Sequence, residues 1–176
     1  SEGTYPLPEA QVDRFMLKIL VDYPEHDEEL TIVQRQLVAP PELREALSLD
    51  DLRTLQRAVR DVYVDPSLVS YAVAVATATR KPKEIGLPQL SEYVDFGASP
   101  RGPIAVTQAG RALALLRGRD YVTPDDVRAL TKDALRHRLV LSYQALAEGM
   151  TPDTILDSVL AAVPVPEVSL SRPAGG

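Results

Sequence analysis

Apolar residues recur at helical spacing through most of this chain, and one segment near the start breaks the rule. Phe15 to Val21 reads Phe-Met-Leu-Lys-Ile-Leu-Val, an almost unbroken apolar run of strand length, the pattern of a strand covered on both faces. One side of a buried helix would give the same run, and periodicity alone does not separate the two. As a strand it is the only good one in the sequence. A lone strand cannot satisfy its backbone, so the sheet it would join is expected to lie outside the chain. Tyr23-Pro24 ends the segment and marks an expected boundary, with residues 24–164 forming a helical region.

Beyond Pro24 the helices announce themselves by their caps. The first is expected from about Glu25 to Gln36, with acids in its opening turn and Leu30, Val33 and Leu37 on one face. The second opens at Ser48, with Asp51 completing a capping-box pair, and carries Leu52, Leu55, Val59 and Val62. Asp65-Pro66 starts a third that reaches about Arg80. Lys81 to Ser99 reads as a long loop, punctuated by Pro82, Gly86, Pro88 and Gly97. A fourth helix follows Ser99-Pro100 to about Leu116 and is stopped by Gly118, although Gly102 and Pro103 weaken its first turn. Thr123-Pro124-Asp125-Asp126 opens a fifth that extends to about Arg138, and Thr151-Pro152 opens a last short one. Residues 165–176 are rich in Pro and Gly and are expected to be a disordered tail.

Composition narrows the function classes. A net charge of -6 over 176 residues, with basic residues scattered, argues against nucleic-acid binding. The absence of cysteine excludes disulfides, thiolate zinc sites and thiol catalysis, and fits a reducing compartment, with the cytoplasm as the default. The longest apolar run, Tyr71 to Ala78, is far too short to span a bilayer, so no membrane insertion is expected.

Most enzyme chemistries are missing from the sequence. No glycine is followed by lysine, so the phosphate-cradling loop of NTPases is not present, and no Walker-B-like run accompanies it. His26 and His137 stand in no metal-ligand spacing, and no metal site is expected. Gly97-Ala98-Ser99-Pro100-Arg101-Gly102 has the wrong spacing for a nucleophile elbow. The acid pairs Asp50-Asp51 and Asp125-Asp126 sit at helix starts, where capping explains them.

Two arginines remain in unusual settings. Arg14 ends the stretch Gly3-Thr4-Tyr5-Pro6-Leu7-Pro8-Glu9-Ala10-Gln11-Val12-Asp13-Arg14-Phe15, after a Pro-rich loop and a short helical turn, and Arg101 opens a helix. Together with Gly118-Arg119-Asp120-Tyr121-Val122-Thr123-Pro124-Asp125-Asp126-Val127 and Leu135-Arg136-His137-Arg138-Leu139, these stretches closely resemble the C-terminal part of the MoxR family of AAA+ ATPases. The resemblance runs over almost the whole chain.

The resemblance implies a mainly α fold, a helical AAA+ lid bundle preceded by one orphan β-strand left from an α/β nucleotide-binding core, with residues 1–23 as the end of that core. It matches Arg14 to the family's arginine finger, acting in trans, and Arg101 to its sensor-2 arginine. It also implies a hinge at Tyr23 and Pro24. ATP and Mg2+ are the cofactors implied for the complete ATPase, and the chain alone is expected to hydrolyse nothing. Partners implied are neighbouring subunits of a homo-oligomeric ring, a hexamer, together with von Willebrand factor A domain proteins and client proteins. A self-standing helical interaction module without a nucleotide role is the competing reading. Among the basic residues, Arg119, Arg136 and Arg138 have no phosphate role that the sequence supports.

Overall fold

A computed structural model of the chain describes residues 7–168, so Gly3 to Pro6 and the last eight positions of the expected tail lie outside the described residues. The architecture is mainly helical, as expected. In chain order the elements are α1 (Glu9–Val12), α2 (His26–Gln36), α3 (Leu49–Asp61), α4 (Pro66–Arg80), β1 (Val94–Phe96), α5 (Arg101–Leu116), α6 (Pro124–Leu135), β2 (Val140–Leu141), α7 (Tyr143–Ala147) and α8 (Pro152–Ala162). The caps behave as read: Glu25, Ser48, Thr123 and Thr151 each make a reciprocal capping box, and Asp65 accepts the Ser67 N–H at 2.8 Å. These bonds satisfy amide groups that a helix start otherwise leaves open.

The core lies among α4, α5, α6 and α8. Leu68 and Val75 of α4, Val106 of α5, Val127 and Leu135 of α6, and Ile155, Leu156 and Val159 of α8 are essentially closed to water. Small residues let α5 approach closely: Gly102, Ala105, Ala109 and Gly110 are all buried on one side of it. At Gly102 an added Cβ would stand 2.6 Å from a methyl of the buried Leu135. The glycine that weakens the helix in isolation is therefore a packing requirement. At the other end of α5, Gly118 takes a left-handed conformation at φ 73°, with its N–H on the Leu115 carbonyl and the Arg119 N–H on that of Ala114. This is the Schellman closure that only glycine adopts without strain.

Phe15 to Val21 pairs with no strand among the described residues, as expected of a segment whose sheet lies outside the chain. Its backbone is held in part by single bonds to the far end of α6, including Lys18 N–H to the Asp133 carbonyl at 2.8 Å. Its apolar side chains remain largely in solvent, Val21 at 88% exposure. The strands that do form are β1 and β2, an antiparallel pair with Val94 opposite Leu141 and Phe96 opposite Val140. They are too short to show a period of two. The expected loop 81–99 thus contains β1 and two 3-10 turns, Pro82–Ile85 and Pro88–Glu92. The helix expected to reach Arg138 ends at Leu135 and tightens into a 3-10 turn, Arg136–Arg138. Within the expected tail, Val168 packs partly against the core. The apolar face of α2 is not buried by the described residues: Leu30, Val33 and every other residue of that helix are exposed. Leu52 and Leu55 of α3 are likewise exposed.

One buried acid joins the helix start of α6 to the turn before it. Asp126 is fully buried, caps Thr123, and accepts from Arg119 at both oxygens (2.7 Å each) and from Arg117 at 2.9 Å. Burial pushes its pKa up, but the hydrogen bonds from Arg119 and Thr123 outweigh it and hold the carboxyl down at about 2. A carboxylate with a depressed pKa contributes stability that is complete above its unfolded value and lost as pH falls through the folded one. We therefore expect Asp126→Asn to cost about 3 kcal/mol at neutral pH and to lower Tm by roughly 6–12 °C in a calorimetric melt. The gap between wild type and variant should close as pH is lowered from about 4 toward 2. A gap independent of pH would mean that the charge of Asp126 is not what matters.

Candidate functional site

The loop before α5 is shaped by a close approach of two backbones. At Gly97 an added Cβ would lie 2.6 Å from the carbonyl carbon and oxygen of Thr79, at the end of α4. The next residue, Ala98, is fully buried; its N–H donates to Thr79 Oγ1 at 2.9 Å and its carbonyl accepts from Arg80. Thr79 Oγ1 in turn donates to the Ala76 carbonyl at 2.7 Å. With 97–98 locked to α4 and Gly102 locked to Leu135, Ser99, Pro100 and Arg101 are left projecting at the start of α5.

Ser99 and Arg101 face the segment that carries Arg14. Ser99 Oγ lies 2.9 Å from both carboxylate oxygens of Asp13 and also accepts the Arg101 N–H at 3.2 Å. Arg101 Nε approaches Asp13 Oδ2 at 3.7 Å with its side chain 58% exposed, a weak ion pair that leaves the guanidinium accessible. The α1 turn delivers Asp13 and Arg14 to this point: Asp13 N–H bonds to the Glu9 carbonyl and Arg14 N–H to that of Gln11. Arg14 is exposed, and among the described residues its guanidinium makes no hydrogen bond or ion pair. Arg14, Arg101, Asp13, Met16 and Arg138 line one small cavity of about 140 Å³. That is room for a few waters or a phosphate group, well below the size of sites that enclose a whole small molecule.

Tyr23 and Pro24, the expected hinge, are not part of this cluster. Tyr23 is 99% exposed and Pro24 is exposed as well. Four residues to which the sequence assigned no role are part of it or hold it: Asp13, Ser99, Arg136 and Arg138. Arg136 donates to Asp153 through Nε (2.9 Å) and Nη2 (3.1 Å), to Asp133, and to the Lys18 carbonyl at 2.6 Å. Arg138 is bound to Asp13 and to the carbonyls around Arg14. His137 Nε2 lies 3.0 Å from the Phe15 carbonyl, and burial pushes its pKa down, which keeps the ring neutral. The signal for this triplet was present as three basic residues at the end of an apolar helix, a place where exposed cations on the helix dipole are the ordinary explanation.

The arrangement is that of a helical lid from an AAA+ protein, with an arginine at the start of a lid helix and a second one on an adjoining loop. An AAA lid domain matches residues 90–159. The chain is 48% identical over 96% of its length to the chaperone MoxR1 of Mycobacterium tuberculosis, covering 45% of that protein. It is 31% identical over 94% of its length to the protein MoxR of Paracoccus denitrificans, covering 52% of it. A crystal structure described as "a putative ATPase" from Cytophaga hutchinsonii superposes with a TM-score of 0.89 at 36% identity, over 94% of this chain and 51% of that one. The chain belongs to the MoxR family of AAA+ ATPases. It spans about half the length of the curated relatives it matches.

The locked loop yields a direct check. Gly97→Ala should force the backbones of 97 and 79 apart at a cost of about 2 kcal/mol, lowering Tm by roughly 4–8 °C. An unchanged melt would mean that the Gly97 approach does not hold the start of α5.

Proposed function

We propose that this chain is the arginine-finger, sensor-2 and lid part of a MoxR-type ring ATPase that couples ATP binding and hydrolysis to chaperone-like remodelling or maturation of protein complexes. The observation that carries the reading is the pair of accessible guanidinium groups at one cavity, Arg14 without a partner among the described residues and Arg101 with only a weak one. A buried structural arginine satisfies its donors within the fold, as Arg138 does. A guanidinium positioned but unpaired is ready for an anion from outside.

In this reading Arg14 reaches the nucleotide of a neighbouring subunit and Arg101 the phosphates bound by its own. Phosphoryl transfer spreads negative charge over the terminal phosphate, and a fixed, always-charged guanidinium there stabilises the transition state more than the ground state. Arg101 starts from its contact with Asp13, and a phosphate competes for it more strongly than a single carboxylate oxygen at 3.7 Å can. ATP would supply the phosphoryl group. The Mg2+ that accompanies it finds no ligand set here, since among the described residues no cluster of His, Cys, Asp or Glu could hold a metal ion. The exposed apolar side chains of residues 15–21 suit a segment completed by a sheet of the nucleotide-binding core. Tyr23 and Pro24 follow that segment directly, and their exposure suits a hinge. The ring is a hexamer in this reading. It acts in the cytoplasm on client proteins, together with von Willebrand factor A domain partners. No helix among the described residues is long and apolar enough to cross a membrane.

In the complete ATPase, Arg14→Ala should leave nucleotide binding and ring assembly unchanged while turnover falls by about 10³-fold or more, measured by phosphate release and sedimentation. Normal turnover in that variant would remove Arg14 from the finger role. The 176-residue chain alone should bind ATP no more tightly than about millimolar, a Kd at which few contacts are made. Micromolar binding by calorimetry would overturn this and reopen the chain as a nucleotide site in its own right.

A further inference from the structure

Arg138 is the most deeply buried guanidinium of the site, its side chain 2% exposed, and its hydrogen bonds have an uneven distribution. Nε donates to Asp13 Oδ1 at 3.0 Å. Nη2 donates to the carbonyls of Asp13 at 2.9 Å and Phe15 at 2.7 Å, and Nη1 to those of Met16 at 3.3 Å and Ala134. Of these five acceptors, only Ala134 lies outside the Arg14 segment, at the end of α6 just before the turn that carries Arg138. The other four come from residues 13, 15 and 16, on both sides of Arg14, and none from Arg14 itself. The same turn adds two further bonds to the segment, His137 at the Phe15 carbonyl and Arg136 at the Lys18 carbonyl. The first residue of α5 is tied to the same point, because Asp13 also contacts Ser99 and Arg101.

Resting on the reading of Arg14 and Arg101 given above, we propose that Arg138 is a positioning residue for Arg14: by gripping the backbone on both sides of it, Arg138 fastens the Arg14 loop to the lid. Arg14 and Arg101 are then held in one arrangement. A lid that turns about Tyr23 and Pro24 must break these bonds, so the position of the lid on its own nucleotide governs how firmly Arg14 is offered to the next subunit.

Physical chemistry makes the grip specific to arginine. A planar fork with five N–H groups can reach acceptors on two sides of a loop at once, whereas a lysine offers three donors from one point and a glutamine two. Burial adds to the requirement, since each donor left unpaired at 2% exposure would cost more than an ordinary hydrogen bond contributes. A cation that only neutralised Asp13 would not need three further acceptors on the opposing backbone.

The chain has no cysteine, so spin labels attach only where cysteines are introduced. Gln11→Cys on α1 and Leu116→Cys at the far end of α5 are both exposed positions. Pulsed electron resonance on that pair should give a narrow distance distribution in the otherwise wild-type chain and a clearly broadened one in Arg138→Lys and Asp13→Asn. Both variants are checked for a cooperative melt, and Ser99→Ala serves where one of them does not fold. In the complete ATPase, Arg138→Lys should lower kcat by about 10- to 100-fold through misplacement of Arg14, with KM for ATP within about twofold of wild type. A distribution that stays narrow in folded variants overturns the proposal. So does a variant that broadens the distances while kcat stays normal and Arg14→Ala abolishes turnover; in that case the finger reading survives and the positioning role does not. Normal turnover in Arg14→Ala removes the finger reading itself and this role with it, whatever the distances show.

Discussion

A guanidinium taken out of water must find an acceptor for nearly every N–H, and much of the site depends on how Arg138 meets that demand. The end of α6 supplies one carbonyl, from Ala134, and four other acceptors come from a segment more than a hundred residues earlier. That requirement draws residues 13–16 onto the end of α6 although the segment has no strand to pair with there. It also places Asp13 where Ser99 and Arg101 can reach it. Side-chain donors from a tight 3-10 turn thus do for this stretch of backbone what a neighbouring strand would do in a sheet.

A second buried charge works in the opposite sense. Asp126 is an acid that arginines solvate, while Arg138 is an arginine that carbonyls and one acid solvate. The first joins two consecutive stretches, the turn around Gly118 and the start of α6, and so completes the lid's own fold. The second joins the lid to a distant segment. Both positions combine burial with charge, yet only the second bears on where Arg14 points.

The helices were legible because their starts carry local chemistry. Ser48, Asp65, Thr123 and Thr151 each bond an amide within three residues, which a sequence can reveal without knowledge of the fold. The strands were not, because β1 and β2 are three and two residues long and exist only where the loop before α5 meets the chain after α6. The apolar run 15–21 read as a strand for a sound local reason, but a strand is completed by its partner, and none stands beside it. For the site, Arg14 and Arg101 were recognisable from the motifs around them. Asp13, Ser99 and Arg138 were not, since nothing local distinguishes a solvated Asp-Arg or Arg-His-Arg from one folded onto its distant counterpart.

Sequence by itself determined the helical class, the helix starts and the glycine stop at Gly118, because capping and turn formation are properties of short stretches. Only the tertiary structure decided that Gly97 and Gly102 are required for close packing, and that Asp13 is shared among Ser99, Arg101 and Arg138. It likewise decided that Arg14, between two gripped neighbours, has no partner among the described residues. These are consequences of burial and of contacts between residues distant in the chain, up to 125 positions apart, and such contacts exist only once the helices have closed on one core.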